Sequence, residues 1–520
     1  MKFTLVADVH GNLPALEAVL RHARVRGATQ TILNLGDLTG YGPYPEEVVR
    51  WSRSPQVISI LGDYDKKVLS DKQRKSQWMG VKTADKRAMF AWTYRALSKS
   101  SRKYLRSLPE TQCIEVEGVK ILLSHGSLVT PGDHGQRDVP QAQLVDLAVT
   151  EGASVVVSGH THQAFSNEAQ GISFINPGTV GRPDDGDPRA SYAILEIEKG
   201  EVRVQHYRVP YDIMAAVHGL RRTGLPEIFT HVVRLGLNYD DTASVLRESP
   251  GTNALEPSGT VTLLTDFGLK DHFVGVMKGV IKEIAPQANL IDISHQVRPQ
   301  SVVEGARMLS QAVPYFPAGT VHVAVVDPGV GTERRALAAQ IGGDFFVAPD
   351  NGLLTLLLEK AQVEGLPVIL ISLTKPDYWL PDISAIFHGR DVFAPVGAHL
   401  ANGIPLSCLG EAIDDPFVVT LPQPQPTATG WQAEVVLLDG FGNICTNLLG
   451  SRLTGDKDKT TVRIGEITLN GLTHTFSDAA PGELIALIDS TGHLSIAKVN
   501  GNAADELDVH IGTPVFVDIS

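Results

Sequence analysis

Apolar runs that end in a small residue and then an aspartate or histidine recur along the first part of the chain. Asp8-Val9-His10 follows residues 3–7, Gly36-Asp37 follows 31–35, and Gly62-Asp63-Tyr64-Asp65 follows 57–61. Ser124-His125-Gly126 follows 119–123, and Gly159-His160-Thr161-His162 follows 154–158. Each run reads as a buried strand, so each delivers an oxygen or imidazole donor to the same rim of a sheet. One such residue alone is ordinarily a hydrogen-bonded structural group. Repeated at successive strand ends, carboxylates and imidazoles would repel or go unsatisfied without a cation. The chemistry implied is a mixed nitrogen and oxygen metal site.

A second chemistry lies further on. Residues 321–326 read as a strand that breaks into Asp327-Pro328-Gly329-Val330-Gly331, with Arg334 and Arg335 after it. Pro and Gly directly after a buried strand place Asp327 at its carboxyl end, where ligands gather in open α/β sheets. Phe387-His388-Gly389-Arg390-Asp391 adds an imidazole and further charge. Residues 261–264 end in Thr265-Asp266-Phe267-Gly268, and an ionised carboxylate there can accept both hydroxyls of a ribose.

Strand and helix patterns alternate around these groups. An amphipathic helix is expected over about 13–24, helical segments over 211–237, and helices over 273–284 and from Pro299-Gln300 onward. Residues 238–258 lose periodicity and are rich in Asp, Ser, Thr, Pro and Gly, which reads as an interdomain linker. After about residue 421 short strands at 434–438, 461–464, 484–487 and 514–518 are divided by Gly-rich turns, as in a small β-barrel or sandwich. With 520 residues, more than one core is required. The expected division is 1–237, a linker at 238–258, an α/β domain at 259–421 and a β subdomain at 422–520.

Composition excludes several classes. A formal charge of −13 argues against a general nucleic-acid-coating role. The three cysteines, Cys113, Cys408 and Cys445, form no CxxC pair, so neither a disulfide framework nor a thiolate zinc site is indicated. No apolar run of about 18 residues appears and the first apolar run is too short for a signal peptide, so a cytoplasmic location and no membrane span are expected.

The first half, over roughly residues 1–210, resembles the calcineurin-like metallophosphoesterases, especially their small phosphodiesterase branch. That resemblance implies an α/β sandwich with Asp8, His10, Asp37 and His162 on one divalent metal and Asp37, Asp63, His125 and His160 on a second. The donor set suits Mn, Fe or Zn. The substrate would be a phosphoester of unnamed identity, a diester in preference. The family's third motif is usually Gly-Asn-His-Asp or Gly-Asn-Cys-Asp, and here it is Gly62-Asp63-Tyr64-Asp65. Tyr64 thus stands where a leaving-group acid is often placed, and a phenol with a pKa of about 10 is a poor acid at neutral pH. Gly40-Tyr41-Gly42-Pro43-Tyr44-Pro45 reads as a rigid loop that shapes a pocket or caps the next helix.

Residues 259–520 resemble the S-adenosylmethionine hydroxide adenosyltransferases, relatives of the fluorinating and chlorinating enzymes. The resemblance runs through Thr265-Asp266-Phe267-Gly268, the Asp327 turn, Pro349-Asp350-Asn351-Gly352, Phe387-His388-Gly389-Arg390-Asp391 and Phe441-Gly442-Asn443. It implies attack of water on C5′ of S-adenosylmethionine, with Asp327, Arg334 and His388 as the hydroxide-generating set and no added cofactor. Arg334 stabilises hydroxide, and His388 is available to take the proton. Asp266 would bind ribose; Asp271, Asp439 and Ser490 the methionine amine or carboxylate; Asn443 the ligand from the β subdomain; Phe387 would wall the nucleophile pocket. Relatives usually carry Thr where this chain has Ile386. The family assembles as a trimer with its site between subunits, so a homotrimer is expected. The whole reads as a bifunctional enzyme, with a non-catalytic adenosyl-ligand sensor and a halogenase as rival readings.

Overall fold

The structure, a computed structural model, describes residues 1–70, 83–126, 141–248, 255–454 and 456–519. In the first half two five-stranded sheets face each other. One has Lys2–Val6 at its centre, parallel to Ile32–Asn34 and, through it, to Val57–Ser59, with the long hairpin Ala190–Glu198 and Glu201–Val209 on the other side. The other carries Val119–Ser124 and Val155–Ser158 as parallel neighbours. Strand periodicity explains the sandwich. Phe3, Leu5 and Ala7 point into the core between the sheets with Leu33, Ile121 and Val157. Val6, on the opposite face, packs with Leu16 and Val19 of the helix Leu13–Val25. The parallel strands therefore all end on one rim.

The second half is built on a seven-stranded sheet. Asn289–Ser294, Thr260–Thr265, Val321–Val325 and Asp344–Pro349 run parallel, and Ala336–Ile341, Val368–Leu373 and Gly410–Ile413 complete it antiparallel. Asp266 and Asp327 leave adjacent central strands. The last hundred residues form a separate curled sheet with Gly430–Leu438 at its centre and its own core around Val435, Ile444, Leu494 and Val515.

One expectation is corrected. The stretch read as the start of a linker is helical over Tyr239–Glu248. The turn-forming residues supply a cap instead of a break: the Asn238 side chain accepts from the backbone N–H groups of Asp240 and Asp241 at 3.0 and 2.9 Å. Asp240 and Asp241 complement the helix dipole, and Tyr239 packs against Phe229 with ring centroids 6.0 Å apart. The remainder of the expected linker includes residues 249–254, outside the described residues.

The halves share packing. The N–H groups at the start of helix Ile213–Thr223 donate to the Asn402 carbonyl at 3.1 and 3.3 Å, and Asn402 Nδ2 donates to the Ile284 carbonyl at 2.7 Å. Ile213 and Met214 belong to the same apolar cluster as Leu400, Ala401 and Ile404. Arg189 pairs with Asp187 at 2.7 Å and lies 4.9 Å over the Tyr378 ring. Asn402→Ala leaves the Ile284 carbonyl without its partner in a part-buried setting. Its expected cost is about 1–3 kcal/mol of unfolding free energy, measured by denaturant unfolding followed with two probes.

Candidate functional sites

At the rim of the first sandwich the histidine and aspartate side chains converge. Asp8, His10 and His162 bring donor atoms within 4.8 Å of one another, as do Asp63, His125 and His160, and Asp8, Asp37 and His125. Asp37 lies between the groups, its Oδ2 at 3.4 Å from His125 Nε2 and 3.8 Å from His10 Nε2. The structure thus brings together every metal-ligand candidate named from the sequence.

Backbone geometry makes the convergence possible. Asp8, His10, Asp37, His160 and His162 all have positive φ, between 49° and 71°. Left-handed backbone costs a non-glycine residue about 1–3 kcal/mol and clusters at functional sites. Neighbouring turns hold it: His10 N–H donates to the Asp37 carbonyl at 2.9 Å, and Gly181 N–H to the Asp8 carbonyl at 3.0 Å. At Gly62 a Cβ would stand 2.0 Å from Asp37 N and 2.1 Å from Asp37 Oδ1, so only glycine lets the two ligand turns touch.

The unused nitrogens of the imidazoles are anchored. His10 Nδ1 faces the Thr39 carbonyl at 3.2 Å and His125 Nδ1 the Leu35 carbonyl at 2.6 Å, which directs each Nε2 inward. His10 Nε2 and His162 Nε2 then lie only 3.4 Å apart, and Asp8 Oδ1 is buried with no hydrogen-bond partner. Burial, with Asp63 and Asp8 nearby, pushes the Asp37 carboxyl up to about 7. Burial, reinforced by Arg182 and His162, holds His10 well below the ordinary imidazole value. Converging lone pairs, an orphaned carboxylate oxygen and a destabilised Asp37 anion are what divalent cations would relieve, so these residues fit a metal centre.

Other groups at this site were not found from the sequence. Asp65 accepts from Leu38 N, Thr39 N and Thr39 Oγ1 at 3.2, 3.0 and 2.7 Å, tying the Asp37 loop to the Asp63 turn. Asp184 Oδ2 lies 3.7 Å from His162 Nδ1. Arg182 Nη2 lies 3.3 Å from His162 Nε2. Lys67 forms an ion pair with Asp63 one helical turn away, offsetting the carboxylate at that position. The Tyr64 ring sits edge-on to His10 at 5.0 Å and its hydroxyl faces Tyr41 Oη at 3.5 Å. Burial raises its pKa well above 10, with Tyr41 adding to the effect. In the Gly40–Pro45 loop the Tyr41 ring lies edge-on to His10 with centroids 5.7 Å apart, and Pro45 opens the helix Pro45–Trp51.

In the second half a compact polar cluster sits at the carboxyl end of Val321–Val325. Arg334 Nε lies 3.0 Å from both Asp327 carboxylate oxygens, and Arg334 Nη2 donates to His388 Nδ1 at 2.9 Å. A guanidinium only donates, so His388 Nδ1 is the acceptor and its neutral ring carries the proton on Nε2. Burial lowers the His388 pKa and Arg334 lowers it further, which keeps the ring neutral. In this arrangement His388 Nδ1 is occupied and Nε2 is the donor. His388 precedes a π-helical turn over Gly389–Phe393, a distortion frequent at functional sites. Phe387 contacts Phe267 and Phe273 with centroids 5.9 and 5.3 Å apart, forming an apolar wall. Asp266 Oδ2 accepts from Gln300 N at 2.8 Å, and Asp271 is exposed.

Asp439, Asn443 and Ser490 line a different cavity, of about 190 Å³, with Gln311, Cys445 and Phe476. Asp439 also closes a turn, accepting from Phe441 N and Asn443 N at 2.9 and 2.8 Å. Among the described residues no hydrogen bond, ion pair or ring contact joins this cavity to the Asp327 cluster. Ile386 and Phe441, on the two groups' borders, are 80% and 81% exposed.

The comparisons match this division. Residues 261–410 match the SAM hydroxide adenosyltransferase N-terminal domain and residues 433–516 its C-terminal domain. An (R)-S-adenosyl-L-methionine hydrolase of Salinispora tropica is 45% identical over 260 residues, 50% of this chain and 97% of that protein. The chain belongs to the SAM hydroxide adenosyltransferase family. A fluorinase of Actinoplanes sp. is more distant, 30% identical over 292 residues that make up 49% of this chain and 96% of its own. Residues 1–200 match the calcineurin-like phosphoesterase superfamily domain. An uncharacterized protein of Methanocaldococcus jannaschii is 32% identical over 240 residues, 43% of this chain and 93% of that protein. The chain is thus an adenosyltransferase-family protein carrying a phosphoesterase-superfamily domain. Among the described residues no helix is long and apolar enough to cross a membrane.

Removing metal tests the first rim. Manganese at a hundredfold excess over its dissociation constant is expected to raise the melting temperature by about 5–10 °C. Asp37→Ala and Gly62→Ala should abolish that rise, as read by scanning calorimetry before and after chelation.

Proposed function

We propose that this protein hydrolyses S-adenosylmethionine to adenosine and methionine in its C-terminal half and hydrolyses phosphoesters, diesters in preference, at a two-metal centre in its N-terminal half. The observation that carries the first activity is the Asp327–Arg334–His388 cluster. Water is a weak nucleophile, whereas the sulfonium leaves as a neutral thioether and needs no acid. The water oxygen bonds to C5′, the C5′–S bond breaks with its electron pair going to sulfur, and the water proton passes to Asp327, the anionic acceptor of the cluster. Arg334 stabilises the developing hydroxide, and His388 orients it through its Nε2 proton. Union of an anion with a sulfonium disperses charge, which a dry aromatic wall such as Phe387 with Phe267 favours. Asp266 is assigned to the ribose hydroxyls, and Asp271, Asp439, Asn443 and Ser490 to the rest of the ligand. The separation of the Asp439 cavity from the Asp327 cluster, with Ile386 exposed beside the one cluster and Phe441 beside the cavity, supports completion of each site by a second copy, in a homotrimer.

For the phosphoesterase, Asp8, His10, Asp37 and His162 would hold one cation and Asp37, Asp63, His125 and His160 the other. Such a pair supplies an activated hydroxide and a clamp for phosphoryl oxygens. Asp37 is shared, and Asp65 fixes the loop that presents it. Manganese, iron and zinc all suit the donors. Tyr64 contributes a wall and no leaving-group acid.

Five outcomes test this. Purified protein incubated with S-adenosylmethionine, with and without chloride, should yield adenosine and methionine by chromatography and no 5′-chloro-adenosine. Arg334→Ala should lower the rate by about 10²–10³; intact S-adenosylmethionine despite measurable binding would replace the hydrolase by a sensor. The wild-type rate should stay level through neutral pH and fall on the acid side only below the ordinary imidazole value. Protonating His388 puts a proton on Nδ1 and expels the Arg334 donor, and its lowered pKa delays this to lower pH. In the N-terminal half, aryl phosphodiesters should be hydrolysed far faster than alkyl ones, and Tyr64→His should raise the alkyl rate by about 10²-fold; equal rates on both classes in the wild type would refute the missing acid.

A further inference from the structure

Arg182 is a guanidinium without an assigned task. Its backbone is fixed to the metal rim: Val180 N–H and Gly181 N–H donate to the carbonyls of Ala7 and Asp8, both at 3.0 Å, and Arg182 N–H donates to Thr179 Oγ1 at 3.1 Å. Gly181 admits no side chain, since a Cβ would stand 1.8 Å from the Val9 carbonyl oxygen. The turn therefore aims Arg182 at the ligands. Its Nη2 lies 3.3 Å from His162 Nε2 and 3.4 Å from His162 Nδ1, and its Cζ lies 4.5 Å from the Tyr41 ring centroid and 5.5 Å from that of Tyr64.

Its charge is met only at a distance: Asp184 and Asp8 favour it electrostatically, but neither is paired with it directly. Arg182 Nε is buried with no hydrogen-bond partner. Among the described residues no carboxylate lies within ion-pair distance of Arg182. Asp184, two residues on, faces His162. Lys67 is committed to Asp63. A largely enclosed guanidinium is costly without an anion, and cations on the adjoining ligands would add repulsion. Tyr41 and Tyr64 offer ring faces, worth only about 0.5–2 kcal/mol. What resolves the conflict is an anion that reaches both the rim and the guanidinium. A tetrahedral phosphoryl group does so: some oxygens face the cations, and the others meet the planar N–H fork of arginine.

We propose that Arg182 is the phosphoryl-binding arm of the N-terminal site, contacting the substrate's non-bridging oxygens. The inference rests on the phosphoesterase reading of that site. The aromatic pair Tyr41 and Tyr64 holds the guanidinium in place between substrates.

The test uses the full-length protein loaded with manganese and inorganic phosphate as the probe. Metal content per chain is measured by elemental analysis and phosphate affinity by calorimetry. Arg182→Gln should weaken phosphate binding by about 10- to 100-fold, leave metal content unchanged, and raise KM for an aryl phosphodiester more than it lowers kcat. Arg182→Lys should recover part of the affinity. Wild-type phosphate affinity in Arg182→Gln overturns the proposal, and so does loss of metal, which would make Arg182 a support for His162. Wild-type protein that holds its metals but neither binds phosphate nor cleaves any phosphoester would sink the phosphoesterase reading itself, and this proposal with it.

Discussion

The N-terminal site depends on backbone strain held in register. Asp8, His10, Asp37, His160 and His162 share left-handed backbone. At about 1 kcal/mol each, the low end for such residues, the set stores roughly 5 kcal/mol, comparable with the net stability of a small domain. The turns persist because each is hydrogen-bonded to another ligand turn: Asp8 to Gly36, His10 to Asp37, Gly159 to His125. No ligand can relax without displacing a second. That mutual support lets short loops present carboxylates and imidazoles rigidly before any cation arrives.

This also explains what was legible in the sequence. Strand ends are visible because apolar periodicity stops abruptly, and the residues after them include the candidate metal ligands. Asp327 could be placed for the same reason, whereas Arg334 and His388 follow no strand directly and were named through the family resemblance. Arg182, Asp65 and Asp184 could not. Asp65 stands in the stretch after a strand, but its role as an acceptor from Leu38 and Thr39, like the placement of Arg182 and Asp184, arises from which turn folds against which. Arg182 follows a Gly181 whose need for glycine is set by the Val9 carbonyl, more than 170 positions earlier. The helix Tyr239–Glu248 was missed because Asn, Asp and Thr are turn formers by local preference. Only the burial of Tyr239 and Thr242 against the preceding helices turns them into a cap.

The two sites solve opposite electrostatic problems with the same architecture. Both lie where parallel strands end. The first gathers anionic and lone-pair donors whose repulsion calls for cations. The second neutralises its own charges: Asp327 and Arg334 form a bidentate pair, and His388 stays neutral because burial and Arg334 disfavour its cation. Such a cluster has no unmet demand for metal, and it suits a substrate that brings its own positive charge on sulfur.

The Arg334–His388 hydrogen bond has a mechanistic consequence. With Nδ1 accepting from Arg334, a histidine that took the proton at Nδ1 would have to release the guanidinium first, at the moment when the proposed hydrolysis calls for it beside the forming hydroxide. The observed hydrogen bond runs the other way and couples the three groups: Asp327 orients Arg334, Arg334 selects the His388 tautomer, and His388 keeps its N–H at Nε2. Removing the Arg334 side chain should therefore cost more than its charge alone, because it also frees the His388 ring to change tautomer. Arg334→Lys tests this: it keeps a positive charge but cannot span both Asp327 oxygens and His388 Nδ1 at once. If charge were the whole contribution, lysine would restore the rate. If the coupled geometry matters, Arg334→Lys should remain nearly as slow as Arg334→Ala, and its acid limb should shift as His388 loses the fixed donor at Nδ1.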